Sequence, residues 1–352
     1  MSPPAAFRTA GGTEPLRLLL VGAGGMGRAW LRAIAREPGV VLAGVVDLDV
    51  AAALRAVAEE CGEPGVPVAA SIGELADGEG VDAVVDVTVP AAHLPVTLEA
   101  LGLGLPVLGE KPLAASLTEA VTLVRAAEEA RELFMVSQSR RYDRQLFALR
   151  AQAGRLGQLG VLTQEFFKAP RFGGFRDAMD HPLVLDMAIH NFDAARFVLG
   201  ADPVAVYCEE YNPAWSWYAG DAAGTALFEM TGGTRFVYTG SWCADGLETS
   251  WNSHWRISGA GGSATWDGEG EPAVEITDPA RDPGFVPQAP PGGGIAGALA
   301  DFVDALRTGR VPMGECHDNL LSLAMVHAAI ASSADRVRVP VAEVLTAATP
   351  TG

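Results

Sequence analysis

The strongest constraint on this chain is the run Gly22-Ala23-Gly24-Gly25-Met26-Gly27, set between an apolar stretch and a helical pattern. Leu16–Val21 reads as a short buried strand, and the residues after the glycines read as a helix through Arg36. A second apolar run, Val40–Val46, ends in Asp47, 20 residues past Gly27. Each part of G-x-G-x-x-G then has a physical task. Gly22 permits the tight turn, Gly24 lets backbone approach a pyrophosphate, and Gly27 lets the helix pack closely on the strand. Gly25 and Met26 open the helix, whose unpaired N–H groups and positive dipole end suit phosphate. Asp47 can accept hydrogen bonds from ribose hydroxyls and repels a 2′-phosphate. NAD is therefore expected in preference to NADP.

The pattern that begins there continues. Helix-like Val50–Cys61, strand-like Ala83–Val87, helix-like Ala91–Leu103, strand-like Pro106–Leu108, helix-like Ser116–Arg131 and strand-like Phe134–Ser137 follow in turn. Continuous apolar strands separated by helices imply a parallel sheet covered on both faces. After about Arg141 the rhythm changes. Val161–Phe167, Val204–Glu209, Thr225–Met230, Thr234–Trp242, Trp255–Ser258 and Ala264–Trp266 read as strands. Helical patterns cover Asp186–Leu199, Ile295–Arg307 and Asn319–Ser333. The expected fold is α/β: an N-terminal doubly wound parallel sheet plus a C-terminal α+β domain on a large, mostly antiparallel sheet. The boundaries expected are a loose tail over 1–15, a dinucleotide-binding domain over 16–141 and a substrate domain over 142–352.

Net charge bounds the partners. With 25 Lys and Arg against 43 Asp and Glu the chain carries −18, which disfavours nucleic acid and anionic membrane surfaces. No apolar run reaches a membrane-spanning length. The first residues are rich in Ala, Gly, Pro and Thr and read as a tail rather than a signal peptide. Cys61, Cys208, Cys243 and Cys316 are scattered, with no CxxC, and read as reduced and structural in a cytoplasmic protein. No metal is expected, because the histidines and cysteines lack the usual ligand spacings.

Among 25 basic residues only Lys111 and Lys168 are lysines. Lysine can lose its proton when crowded, and arginine effectively cannot. Lys111 lies in Glu110-Lys111-Pro112 after a strand, and in a doubly wound sheet ligands bind outside the carboxyl ends of strands. It is thus a candidate for chemistry beside the cofactor, whereas Lys168 gains no such support. Thr88, Pro90 and His93 end another strand and are candidate cofactor contacts together with Glu110. Asp186 and His190 are four apart on a helical pattern, so a carboxylate sits beside an imidazole. That pairing suits a histidine general base. Asp193 reads as structural, pairing with Arg196 or Arg141. Tyr142 at the change of rhythm, with Arg171, His181, Trp215 and Trp217, is a candidate substrate contact. Six of the seven tryptophans fall in the second half, where they serve either sheet packing or the stacking of sugar rings.

Taken in order, the glycine fingerprint, Thr88-Val89-Pro90 with His93, Glu110-Lys111-Pro112 and Asp186-x-x-x-His190 resemble the Gfo/Idh/MocA oxidoreductases. The resemblance runs from about Leu16 to about Pro340. It implies a lysine, aspartate and histidine triad at Lys111, Asp186 and His190. It also implies an NAD-dependent dehydrogenase acting on a secondary hydroxyl of a sugar, cyclitol or related polyol. The C-terminal sheet is then expected to form a dimer or tetramer. An NAD-dependent glycosidase with transient oxidation and a non-catalytic dinucleotide-binding sensor are the alternatives. Asp180-His181-Pro182-Leu183 stands where the family often has a Gly-Gly pair, and Ser139 where it often has Asn. Both departures put the substrate in doubt, not the cofactor.

Overall fold

The computed structural model describes residues 6–61, 65–76, 80–277, 279, 282–286 and 289–349. The chain forms two compact units, one holding the residues up to Tyr142 together with Pro291–Leu320, the other Asp143–Pro290 with Leu321–Ala348.

In the first unit strands and helices alternate: β1 (Leu16–Val21), α1 (Gly25–Ile34), β2 (Val40–Val46), α2 (Val50–Glu60), β3 (Val68–Ala69), α3 (Ile72–Ala76), β4 (Ala83–Asp86), α4 (Pro90–Gly102), β5 (Val107–Glu110), α5 (Leu117–Ala130) and β6 (Phe134–Ser137). The six strands form one sheet in the order β3-β2-β1-β4-β5-β6. Every pairing is parallel, as expected for strands buried on both faces. The chain runs outward from β1 in one direction and from β4 in the other. The carboxyl ends of β1 and β4 therefore flank the switch point at which such sheets bind ligands.

The second unit opens with α6 (Arg144–Ala153) and β7 (Leu159–Phe167), followed by α7 (Ile189–Leu199), β8 (Pro203–Tyr211), β9 (Ala223–Met230), β10 (Arg235–Ser241), β11 (His254–Gly259), β12 (Gly262–Trp266) and β13 (Ala273–Ile276). After α8 (Gly294–Thr308) and α9 (Cys316–Asp335) come β14 (Val339–Pro340) and α10 (Val341–Ala348). Eight strands form a second sheet, β13-β12-β11-β7-β10-β9-β8-β14. Its ladders are antiparallel except where β10 runs parallel to β7. Burial alternates along the strands, as in β8 and β9, so one face is packed and the other open. On the packed side Phe192 of α7 meets Phe228, Phe236 and Tyr238 edge-on at 4.8–6.0 Å. Trp242, Trp255 and Trp266 are buried, which is the sheet-packing role for those three.

Three expectations need correction. Pro291–Leu320 was assigned to the second domain but belongs with the first unit. The reason is apolar: Ala298, Leu299, Phe302, Ala305 and Leu306 of α8 share a core with Trp30 and Leu31 of α1. The tail is also less loose than its composition suggests. Residues 1–5 lie outside the described residues, but Phe7 packs on that same core. Arg8 N donates to Arg131 O at 2.9 Å and Ala10 N to Leu306 O at 2.8 Å. Arg307 donates to the carbonyls of Gly11, Gly12 and Glu14. Finally, the stretch before His190 is not α-helical. Pro182–Ala188 is a π-helix and the α-helix begins only at Ile189. A π-turn inserts an extra residue per turn and is frequent at functional sites.

Candidate active site

The glycine turn is built as its pattern requires. Gly22 has φ +99°, and a Cβ there would lie 2.8 Å from Val87 O. A Cβ on Gly27 would lie 2.1 Å from Gly22 O, so any side chain would push α1 off the turn. Gly24 and Gly25 face open space, with nothing within 4 Å of a built Cβ. No side chain caps the N-terminus of α1. Uncapped N–H groups over open space are what a pyrophosphate needs, so the turn fits a dinucleotide. Met26 is about half exposed beside it. Asp47 does double duty. Its Oδ2 accepts from Ala23 N at 2.7 Å and its Oδ1 from Asp49 N at 2.8 Å. The carboxylate thus braces the glycine turn, and each oxygen keeps a second lone pair for a ribose hydroxyl.

The turns after β4 and β5 are tied to each other. His93 is buried, with Nδ1 2.8 Å from Pro112 O and Nε2 3.2 Å from Thr88 O. It was expected to touch the cofactor; instead its ring lies between the two turns, with each nitrogen facing a backbone carbonyl. Thr88 turns inward too, donating Oγ1–H to Asp86 Oδ1 at 2.6 Å. Asp86 is fully buried, and burial holds its carboxyl above the ordinary range against the pull of His93 and Thr88. Of this segment Val89, 65 % exposed, and half-buried Pro90 at the start of α4 remain on the surface. Glu110 is likewise a support. Its Oε1 accepts from Trp30 Nε1 at 2.8 Å and its Oε2 from Lys111 N at 3.2 Å. Burial raises its carboxyl, opposed by those two donors. Half-buried Lys111 therefore rises from a turn braced by Glu110 below and by His93 through Pro112 beside it. Asp86 and Trp30 were missed in the sequence; an Asp closing a strand just before Thr-Val-Pro was the available signal.

In the second unit Asp186 accepts from Arg176 Nε at 2.6 Å, with the carboxylate mostly buried. His190 follows, half-buried, in the first turn of α7. The register of α7 is held by Phe192 on the sheet and by Asn191 Nδ2, which donates to Ser253 Oγ at 2.6 Å. Ser322 Oγ donates to Asp193 Oδ1 at 2.7 Å and receives Arg196 at 2.9 Å, so Asp193 is structural as expected. Residues 174–181 are clasped by the loop after β8. Ala219 N donates to Asp177 O and Asp221 N to Asp180 O, both at 2.8 Å. Gly220 permits this approach, since a Cβ there would lie 2.0 Å from Asp180 O. Trp217 sits in that loop with Arg171 stacked on it at 3.8 Å. Beside it, Tyr218 donates to Pro170 O at 3.1 Å, and burial with the nearby Asp177 carboxylate pushes its phenol up to about 12. His181 Nδ1 lies 3.2 Å from Oε2 of buried Glu210, which raises the imidazole's proton affinity. Arg171, Arg176, His181, Asp186 and Trp217 thus share one folded patch.

One expected substrate contact does not behave as such. Tyr142 is fully buried in the first unit, its hydroxyl donating to Asp301 Oδ2 at 2.7 Å. It ends the first stretch of that unit, as the change of rhythm suggested, but its side chain packs inward. Trp215 is 73 % exposed, with Nε1 donating to Cys243 O at 3.2 Å. Lys168 keeps its bland role, donating to Glu248 Oε2 at 2.8 Å and to Thr249 O at 3.0 Å.

Comparison with known proteins agrees with this geometry. The family model described as an oxidoreductase family with an NAD-binding Rossmann fold matches residues 16–138, and the C-terminal domain model of the same family matches 149–265. The chain belongs to the Gfo/Idh/MocA family of oxidoreductases. Its first unit is the NAD-binding domain. The chain is 28% identical over 268 residues to an uncharacterized protein of Sinorhizobium fredii, y4oX, covering 71% of this chain and 72% of that one. It is 34% identical over 199 residues to an inositol 2-dehydrogenase of Arthrobacter sp., covering 55% and 57% respectively. This chain thus spans little more than half the length of that dehydrogenase. An oxidoreductase of Agrobacterium radiobacter, solved with NAD+, L-tartaric acid and magnesium, shares the fold with a TM-score of 0.80 at 22% identity over 93% of this chain and 99% of that one. Among the described residues no helix is long and apolar enough to cross a membrane.

Proposed function

We propose that this protein is an NAD-dependent dehydrogenase that interconverts a secondary hydroxyl and a ketone on a sugar, cyclitol or related polyol. The observation that carries the reading is an open, uncapped glycine turn after β1 and a braced lysine turn after β5, the two strands that flank β4. The resemblance of Glu110-Lys111-Pro112 and Asp186-x-x-x-His190 to the family's motifs supports assigning its lysine, aspartate and histidine to Lys111, Asp186 and His190. Bound NAD supplies the hydride acceptor. His190 takes the proton of the reacting hydroxyl as general base. Lys111 donates a hydrogen bond to the same oxygen and stabilises its alkoxide character. Asp186, oriented by Arg176, stabilises the imidazolium that forms on His190. Gly24, Gly25 and Met26 hold the pyrophosphate, and Asp47 the adenosine ribose. Arg171, His181 and Trp217 line the substrate side, where the guanidinium stacked on Trp217 and the imidazole offer hydrogen bonds to a polyhydroxylated ring. The similarity to inositol 2-dehydrogenase favours a polyol. A cytoplasmic dimer or tetramer is part of this reading. The open sheet face carries Tyr207, Tyr211 and Leu227, each 45–55 % exposed, and would be covered in it.

The test is NADH formation from NAD with a panel of sugars, cyclitols and sugar acids, and the reverse with the ketones. No turnover in either direction overturns the reading. Lys111→Arg should cost about 10²–10⁴-fold in kcat while leaving NAD affinity unchanged. Full activity in that variant would remove Lys111 from the mechanism.

A further inference from the structure

Far from the glycine turn in sequence, the start of α9 carries three consecutive metal-binding residue types. Glu315, Cys316 and His317 each bring a donor atom to one point, all within 4.8 Å of one another. Cys316 Sγ–H points at Glu315 Oε1 at 3.1 Å, and His317 Nδ1 lies 2.7 Å from the same oxygen. Sγ and Nδ1 are 3.6 Å apart. Two protons thus converge on a single carboxylate oxygen. The other oxygen, Oε2, accepts His317 N at 3.0 Å and so caps the helix. On its far side His317 Nε2 is 2.9 Å from Glu128 Oε1 of α5. A carboxylate on the second ring nitrogen is the arrangement that orients a metal-binding histidine and sets its tautomer.

We propose that Glu315, Cys316 and His317 form a binding site for one borderline divalent cation, Zn²⁺ being the best match, with Glu128 as the positioning carboxylate. Binding replaces the Sγ–H and Nδ1–H protons by the cation. Two protons leave as one doubly charged ion arrives, so the charge of this buried cluster is unchanged. The ligands become thiolate, neutral imidazole through Nδ1, and carboxylate through Oε1, while Nε2–H stays on Glu128. Zinc bonds of about 2.3 Å to sulfur and about 2.0–2.2 Å to nitrogen and oxygen put tetrahedral S and N ligands about 3.6 Å apart. That is the spacing found. The carboxylate oxygen must retreat by about 0.5 Å from each, toward a tetrahedral spacing of about 3.3–3.6 Å. It loses both hydrogen bonds that hold it close, and the glutamate side chain has the freedom to follow. A cavity of about 10 Å³ lined by Phe7, Glu128, Glu132, Glu315, Cys316 and His317 adjoins the cluster, room for one water as fourth ligand. The S, N, O donor set selects zinc-like ions over magnesium or calcium. Consecutive ligands escape a search for CxxC or HxxxH spacing, which is why the sequence reading expected no metal.

The experiment is anaerobic titration of the full-length, chelator-stripped protein with Co²⁺, followed by absorption. One equivalent should produce a thiolate-to-cobalt charge-transfer band with the visible bands of tetrahedral cobalt, and added Zn²⁺ should bleach both. Cys316→Ala should abolish the charge-transfer band, and Cys61→Ala should leave it intact. Glu128→Gln, at an exposed position, should weaken Co²⁺ binding about 10–100-fold without unfolding the chain. No band in the wild-type protein, or a band that survives Cys316→Ala, overturns the proposal. If Cys316→Ala does not fold, the Glu128→Gln affinity decides: an unchanged affinity is fatal.

Discussion

The glycine turn at 22–27 and the Asp186–His190 segment reach functional geometry by opposite means. In the turn, backbone sterics decide everything. Gly22 needs a positive φ and Gly27 leaves no room for a Cβ, so residue type reports structure directly. In the second segment the backbone is a π-helix that no local propensity demands. Its placement comes from Phe192 on the sheet, Asn191 on Ser253 and the clasp of Asp177–Asp180 by the following loop. A steric rule tolerates no substitution at its own glycine; a site assembled by packing tolerates local change but depends on partners far away in sequence.

That contrast can be broken by experiment. The largest expected effect is on chemistry: His190→Gln should lower kcat by about 10²–10⁴-fold at unchanged NAD affinity, since it removes a base and no cofactor contact. A change in NAD affinity with kcat intact would place His190 on the wrong side of the comparison. Gly27→Ala should do the reverse, abolishing NAD binding and destabilising the chain by about 1–3 kcal/mol, measured by calorimetric titration and urea unfolding. Retained NAD affinity would show that the turn can move. Tyr142→Phe tests whether this tyrosine is a structural group of the first unit. Losing a buried hydrogen bond to a carboxylate should cost about 1.5–3 kcal/mol of stability with KM unchanged, and a raised KM with stability intact would restore Tyr142 as a substrate contact.

The smallest effect concerns His317, which Glu315 first and then Glu128 hold protonated up to about 9. The folded value lies above the ordinary imidazole value of about 6.5. Its stabilising contribution is therefore complete below about pH 6.5 and lost as pH rises through about 9. In chelator, the Tm advantage of wild type over His317→Gln should shrink from about pH 6 to about pH 10. A constant difference would mean that His317 stays neutral.

Legibility in the sequence followed the same line. The strands β1, β2, β4, β5 and β6 were readable because a parallel sheet buries both faces and leaves continuous apolar runs. β3 and β13 were not, since a two-residue strand and an edge strand carry little pattern. Lys111 was readable from the strand before it and its scarcity. Its supports were only half readable: Glu110 and His93 were noticed as cofactor contacts, yet their polar atoms are consumed in bracing the turns. A motif reports which residues are needed near a site, not which of them face the ligand. Glu210 gained meaning only when folding brought His181 to it.

The sequence by itself determined the Rossmann turn, the parallel order of the first unit, the expectation of NAD and the identity of the three candidate catalytic residues. These follow from rules acting over a few residues: glycine sterics, strand burial and the placement of side chains at strand ends. Only the tertiary structure decided that α8 joins the first unit, that Tyr142 and His93 are structural, that Asp186 stands on a π-helix beside Arg176, and that Glu128 meets His317 across 189 residues of chain. Those outcomes depend on which apolar faces and buried polar groups find each other in space, and no short stretch of sequence encodes that choice.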